Sequence, residues 1–292
     1  MNIIFQIEGG LGKSIMATAM VKVIKNHYKD STLIVVTAYP DVFLNNPQID
    51  KVKNVDNLQG LYLEYIKGKE CKVFASEPYR DSDFILESPI PLLKTWCKIF
   101  DLTYNNEQPE LFLTNPEIDY FTPFYKTEKP ILAIQTNGGP VEQSYNYSWT
   151  RDIPESNVLD IINYFKKDYT IVHIKRENQK TYPDTLHALD NHRSIAILLQ
   201  ISKKRLLIDS FTQHLSAALN LKSTVCWITT KPEIFGYKLH DNIKSEIFTK
   251  EPILDNATYN PFALTEEIHS IPYNDLSEIF DTQKIISSIN NQ

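Results

Sequence analysis

The sequence predicts an α/β protein of two similar domains, each built on a parallel sheet, facing a central cleft. Three observations carry that expectation. The chain has 292 residues, about twice the length of a typical domain. A strand, helix, strand alternation opens it and starts again near residue 131. Only 8 glycines occur, and five of them fall in two short clusters, Gly9-Gly10-Leu11-Gly12 and Gly138-Gly139, each just beyond an expected strand.

Asn2 to Ile7 is an apolar run, and Ile15, Met16, Ala19, Met20, Val23 and Ile24 follow at helical spacing. A second apolar run, Thr32 to Thr37, comes next. This is the pattern of a right-handed βαβ crossover. A strand at Lys72 to Ala75 and a helix at Pro91 to Phe100 complete the first half. Pro109, Pro116, Pro123 and Pro130 then punctuate the chain and place the junction near 115 to 130, giving domains 1–125 and 126–292.

The second half repeats the pattern with a strand at Ile131 to Gln135, a glycine loop, a helix at Glu155 to Phe165 and a strand at Tyr169 to Ile174. A helix around Ile195 to Ile201, a strand at Arg205 to Ile208, a helix at Phe211 to Leu219 and a strand at Ser223 to Ile228 follow. A last helix is expected over Asn274 to Asn290, burying Leu276, Ile279, Phe280, Ile285, Ile286 and Ile289; its packing back on the first domain is left open. Two Rossmann-like halves in tandem result, and ligands of such sheets bind beyond the carboxyl ends of the strands, where both glycine clusters fall.

Composition narrows the classes of function. A hydrophobic fraction of 42%, a charged fraction of 23% and a mean hydropathy of -0.30 fit a soluble globule and disfavour a disordered or membrane-embedded chain. No apolar run approaches the roughly 18 to 20 residues that span a bilayer, and MNIIFQIEGG lacks a basic stretch ahead of a long apolar one. A cytoplasmic location is therefore expected, with peripheral membrane contact left open. Cys71, Cys97 and Cys226 are odd in number and widely spaced, which suits a reducing compartment. The net charge of -6 sits in residues 251–292, which hold seven acids against Lys284, leaving 29 charges of each sign in the first 250 residues. Such a balance gives no support to nucleic acid as a partner.

The first glycine cluster, Glu8-Gly9-Gly10-Leu11-Gly12-Lys13-Ser14, invites comparison with a phosphate-binding loop. The standard spacing G-x-x-x-x-G-K-[ST] fails, because Ile7 stands where the first glycine belongs. A variant loop with two adjacent glycines fits better, except that Glu8 replaces its first lysine. A deviant P-loop ATPase thus remains one alternative, and a tight turn without ligand another. The second candidate is Asp209-Ser210-Phe211-Thr212-Gln213-His214-Leu215: Asp209 and Ser210 end a strand and can cap the next helix, Phe211, Leu215, Ala218 and Leu219 form its buried stripe, and Ser210, Gln213, His214 and Ala217 share another face.

Asp209-Ser210-x-x-x-His214-Leu215-x-Ala217-Ala218-Leu219, followed by Ser223 to Glu233 and Phe235-Gly236-Tyr237, resembles the pattern of the heptosyltransferase-like enzymes of glycosyltransferase family 9. The stretch Gly12 to Met20, Tyr28, Pro40 and Asn46-Pro47-Gln48-Ile49-Asp50-Lys51-Val52 resembles that family's N-terminal landmarks, and Leu93 to Phe100 the helix before its domain junction. The resemblance implies a GT-B fold, an acceptor domain over 1–125, a nucleotide-sugar domain over 126–292, and transfer of a sugar from a nucleotide-sugar to an acceptor hydroxyl on a surface saccharide or related glycan. It implies no cofactor and no metal, helix N-termini and cationic side chains replacing a divalent ion at the leaving diphosphate.

On this basis the donor would be bound by Gly10, Gly12, Thr136, Asn137, Gly138, Gly139, Lys175, Arg176, Asp209, Ser210, Gln213 and His214. For Lys175 and Arg176 a solvated charged turn is the competing reading, and for Trp149 with Arg151, which resemble a cleft-facing aromatic and cation, a core tryptophan. Two departures stand out. Lys13 occupies the place of the family's usual acid and general base; an ammonium is a poor base, so Lys13 would clamp phosphate and Glu8 becomes the candidate base, a plain acid beside the helix dipole being the competing reading. Phe211 replaces a glycine and narrows the approach to the helix. Lys13 also motivates a further alternative, a sugar-nucleotide-binding protein without turnover; a transferase acting on modified DNA is the last.

Overall fold

The structure, a computed structural model, describes residues 1–76, 78, 90–138, 151–228, 230–245 and 275–292. Gly139, the segment Tyr147 to Thr150 with Trp149, Thr229, Asn274 and most of the acidic stretch lie outside the described residues. The chain divides into two compact units, Met1–Asn115 and Pro116–Gln292.

The first unit carries β1 (Asn2–Ile7), α1 (Leu11–His27), β2 (Thr32–Thr37), β3 (Lys51–Asn54), β4 (Cys71–Phe74) and α2 (Leu92–Ile99). Its four strands are all parallel in the order β3-β2-β1-β4. The central strands are apolar because both of their faces are covered: Ile3, Phe5, Leu33, Ile34 and Val35 are buried. The helical stripe expected on α1 is buried throughout. Phe5 meets the edge of Trp96 at 5.6 Å and of Phe100 at 6.0 Å, fixing α2 on the sheet.

From α3 (Asn115–Phe121), whose first residue belongs to the first unit, the second unit continues with β5 (Ile131–Ile134), α4 (Glu155–Phe165), β6 (Thr170–His173), β7 (Thr185–His187), α5 (His192–Ile201), β8 (Lys204–Ile208), α6 (Phe211–Ala218), β9 (Thr224–Trp227), a one-turn α7 (Pro232–Phe235), β10 (Asp241–Lys244) and α8 (Thr282–Asn290). Its six strands are parallel in the order β10-β9-β8-β5-β6-β7. The chain runs outward from β5 through β6 to β7, then returns to β8 and runs the other way. The strand order therefore reverses between β5 and β8, and in sheets of this kind the carboxyl ends of the strands flanking such a reversal are where ligands bind.

The last helix is shorter than the sequence predicts. Leu276–Ile279 form a 3-10 turn, and α8 begins only after Asp281, whose side chain accepts from the Gln283 amide and caps it. Leu276, expected in the buried stripe, is exposed, because the break at Phe280 and Asp281 takes it off the helical face. Ile285, Ile286 and Ile289 are buried in the core of the second unit with Leu132, Ile162 and Leu206. The buried Lys204 ammonium donates to the Ile289 and Asn290 carbonyls, at 2.8 and 3.0 Å, satisfying the end of α8.

Candidate functional site

Because every strand pair is parallel, the segments that follow β1, β5, β6 and β8 leave the sheets at their carboxyl ends. The sequence-derived candidates fall on these segments in two groups, Glu8, Gly10, Gly12 and Lys13 in the first unit and the remainder in the second.

In the first unit the turn from β1 to α1 is shaped by Gly9, with φ of 89°. A Cβ there would stand 2.7 Å from Lys13 Cε and 2.8 Å from its Nζ, so the lysine folds back over the turn and is buried. Gly10 is the helix N-cap; no side chain caps α1 and its first turn holds no acid. Among the described residues, its chain neighbours apart, nothing lies within 4 Å of a Cβ built on Gly10. Glu8 is exposed and accepts from Gln6 Nε2 at 3.3 Å. Ser14 is fully buried, its Oγ 3.4 Å from Thr37 Oγ1.

In the second unit one side chain ties the crevice together. Gln135, the residue after β5, donates from Nε2 to Ser210 Oγ at 3.1 Å and to the Asn137 carbonyl at 3.2 Å, and its Oε1 accepts from Thr212 Oγ1. Ser210 is thereby held as the N-cap residue of α6 without its side chain capping the helix. Uncapped helix N-termini carry a partial positive charge and donors that satisfy an anion. Asp209 is buried beside Ser210, with Arg151 Nε 3.9 Å from its Oδ2. Gly138 lies close over β8, a Cβ there meeting Ile208 Cδ1 at 3.2 Å.

The face of α6 expected to line a ligand is buried as well. Thr212, Gln213, His214, Ser216 and Ala217 are inside, whereas of the expected buried stripe only Leu215 is buried, and Phe211, Ala218 and Leu219 are half-exposed. The helix is enclosed because its polar side chains find protein partners. Gln213 Nε2 donates to the Phe235 carbonyl at 3.1 Å, His214 Nδ1 lies 2.8 Å from Tyr237 Oη, and Ser216 Oγ lies 2.6 Å from Ser223 Oγ. His240 Nε2 is 3.0 Å from the Gln213 carbonyl. Burial lowers both histidines to about 4, with Asp209 opposing the shift at His214 and the Gln213 backbone opposing it at His240, so both rings are neutral at pH 7.

Lys175 and Arg176 leave β6 in a tight turn. Lys175 Nζ donates to the carbonyls of Arg176 and Gln179, each at 3.1 Å, and Gln179 Oε1 accepts from the Arg176 amide at 2.9 Å, leaving the Arg176 side chain exposed.

Four participants are not evident from the sequence: Gln135, Asp152, His173 and the buried Tyr182, whose ring lies 5.3 Å from that of His173 and whose hydroxyl meets Thr136. Burial pushes the Asp152 carboxyl up to about 6, against hydrogen bonds from Asn137 and Gly138 and the nearby Arg151 that lower it. His173 is buried, lies 2.9 Å from Thr136 and is lowered to about 4 by desolvation. The one available signal was position, since Gln135 follows β5 and His173 ends β6. Among the described residues no group of three or more His, Cys, Asp or Glu side chains is placed to hold a metal ion, and no helix is long and apolar enough to cross a membrane.

Comparison with solved structures places this architecture. A glycosyl transferase family 9 protein from Veillonella parvula is 13% identical and superposes with a TM-score of 0.71, covering 99% of this chain and 96% of that one. The E. coli ADP-heptose lipopolysaccharide heptosyltransferase II is 12% identical, with a TM-score of 0.63 over 84% of this chain and 90% of its own. The iron-containing dodecameric glycosyltransferase TibC of enterotoxigenic E. coli is 12% identical, with a TM-score of 0.71 over 99% of this chain and 75% of its own. At such identities the likeness is one of fold, and the fold is that of the GT-B glycosyltransferases, two Rossmann-like units in succession. No protein-family model and no curated sequence matches the chain.

Proposed function

We propose that the protein is a glycosyltransferase that moves a sugar from a nucleotide-sugar donor to an acceptor hydroxyl of a surface saccharide or related glycan, in the cytoplasm and without a divalent metal. The observation that carries the reading is the Gln135 to Ser210 hydrogen bond across the reversal of strand order, which sets an uncapped helix N-terminus against the loop Thr136, Asn137, Gly138. Breaking a sugar to diphosphate bond builds negative charge on the leaving oxygen. A fixed helix terminus stabilises that charge without reorganising at the moment of reaction.

In this reading Ser210, the first turn of α6 and Gly138 meet the diphosphate, with Asp209 and Arg151 beside them. Gln213 and His214 support the site from behind through their bonds to Phe235 and Tyr237. Arg176 is placed to reach a phosphate or ribose, with Lys175 shaping its turn. In the first unit Gly10, Gly12 and Lys13 form a turn suited to a phosphate, with room for close approach at Gly10 among the described residues, and Glu8 is the base we assign to the acceptor hydroxyl. The fold supports the class of reaction, since solved proteins that share it are heptosyltransferases, one of them in complex with ADP-D-β-D-heptose.

The test is release of nucleoside diphosphate from a panel of nucleotide-sugars, ADP-heptose included, with and without EDTA and acceptor glycans. Release that persists in EDTA and rises with an acceptor supports the proposal. Magnesium-dependent ATP hydrolysis without any sugar overturns it in favour of the ATPase, and tight donor binding without turnover favours the non-catalytic reading.

A further inference from the structure

Behind the Thr136, Asn137, Gly138 loop runs a chain of hydrogen bonds with a defined direction. Asp152 Oδ1 accepts from the Gly138 amide at 2.8 Å and its Oδ2 from Asn137 Nδ2 at 2.9 Å. Asn137 Oδ1 accepts from Thr136 Oγ1 at 2.8 Å. Thr136 Oγ1 in turn lies 2.9 Å from Nε2 of His173, a fully buried residue. A carboxylate only accepts. Asn137 must therefore turn its amide nitrogen to Asp152 and its oxygen to Thr136. With its hydrogen directed at Asn137 Oδ1, the Thr136 hydroxyl can only accept from its other neighbours, the Tyr182 hydroxyl and His173 Nε2, which fixes that ring as the Nε2–H tautomer. Its Nδ1 finds no partner among the described residues, so none of them sets the tautomer from the far side of the ring.

We infer that Asp152 is a positioning residue of the donor site: its carboxylate sets the direction of each hydrogen bond from Gly138 back to His173 and so holds the loop in a single arrangement. The inference rests on the reading of this loop as donor-binding. Two features beyond the chain agree with it. Arg151, next in sequence, pairs with Asp209 across the crevice, so one short segment braces both the β5 loop and the end of β8. Buried polar chains are costly when partly satisfied and confer a unique arrangement when oriented throughout. His173 stays neutral above about pH 4, which makes its tautomer a clean reporter.

Asp152→Asn tests the inference. The new amide can still accept from Gly138 through its oxygen, but its nitrogen meets the Asn137 nitrogen. Asn137 must then flip and Thr136 accept from it, so the Thr136 hydroxyl turns to donate a hydrogen bond to His173 Nε2, which as an acceptor leaves the ring proton on Nδ1, the Nδ1–H tautomer. Nitrogen-15 NMR of histidine-labelled protein at pH 7.5 reads this directly, the His173 signal being assigned by its loss in His173→Gln. The expected result is the Nε2–H form in the native protein, the Nδ1–H form in Asp152→Asn, and an ADP dissociation constant raised tenfold or more in the variant. An unchanged tautomer overturns the oriented chain, and a changed tautomer with unchanged ADP affinity overturns the positioning role. Should Asp152→Asn fail to fold, Thr136→Val interrupts the same chain and carries the same expectation of tenfold weaker ADP binding. If the native protein binds neither ADP nor any other nucleoside diphosphate, the donor reading itself fails and the positioning role falls with it, while the histidine signal still decides whether Asp152 directs the chain.

Discussion

Gln135 and Ser210, 75 positions apart in sequence, meet through a 3.1 Å hydrogen bond at the place where the strand order of the second unit reverses. The same Gln135 amide also serves the Asn137 carbonyl and the Thr212 hydroxyl. One buried side chain thus holds the β5 loop and the start of α6 in register. Gln135→Met keeps the volume and removes all three bonds. At about 1 kcal/mol net for each bond, urea unfolding should show a loss on the order of 2–3 kcal/mol, and nucleotide affinity should fall with it. Full stability with full affinity would mean that the crevice does not depend on this staple.

The glycine loop of the first unit makes a prediction by contrast. Gly9→Ala places a methyl group at φ of 89° against Lys13, whereas Gly10→Ala meets nothing within 4 Å among the described residues beyond its chain neighbours. Gly9→Ala should destabilise by at least about 1 kcal/mol, the general cost of such backbone strain, and displace Lys13. Gly10→Ala should leave the melting temperature unchanged while weakening any ligand that approaches the backbone there. Thermal melts with and without a nucleotide-sugar separate the two effects.

The bond between His214 and Tyr237 can be removed without disturbing shape. Tyr237→Phe retains the edge-to-face contact of the rings, with centroids 5.6 Å apart, and loses only the hydroxyl. The expected cost is about 1–2 kcal/mol of stability, with donor affinity reduced several-fold because His214 is no longer fixed behind the site. Calorimetric titration with ADP measures the second effect.

Acid should destabilise the second unit. His173, His214 and His240 all titrate near 4 when folded, down from 6.5 because burial disfavours their charged form. Between pH 6.5 and 4 the unfolded chain binds protons at these rings that the folded chain refuses, so stability is lost as pH falls through that window. Asp152 works the other way, since its raised value of about 6 makes the folded chain hold a proton that the unfolded chain releases above 3.8. Three groups outweigh one, and denaturant unfolding near pH 5 should take up about two protons. Stability that is flat from pH 7 to 4.5 would contradict the buried, neutral state of the three rings.

The fold was legible where residues change period over long stretches. Asn2 to Thr37 reads as strand, helix, strand because both strands are covered on two faces and the helix carries a full apolar stripe. The strands Lys51–Asn54, Thr185–His187 and Asp241–Lys244 left no such trace, because each lies at a sheet edge, pairs on one side only and is rich in polar residues. Of the proposed donor site, the turn at Asp209 and Ser210 was legible, because a strand end and a helix N-cap coincide there. It was not legible at Gln135 or Asp152, whose roles arise from partners the fold alone brings near. The enclosure of Gln213 and His214 likewise depends on Phe235 and Tyr237, more than 20 positions downstream.

The central claim is that the diphosphate of a donor sits at the strand reversal of the second unit. Titration of a nucleoside diphosphate into nitrogen-15-labelled protein, followed by amide shifts with and without EDTA, tests it most directly. The account predicts saturable shifts at residues 136–138 and 209–212 that survive the chelator. Shifts confined to residues 8–14 and dependent on magnesium would contradict it.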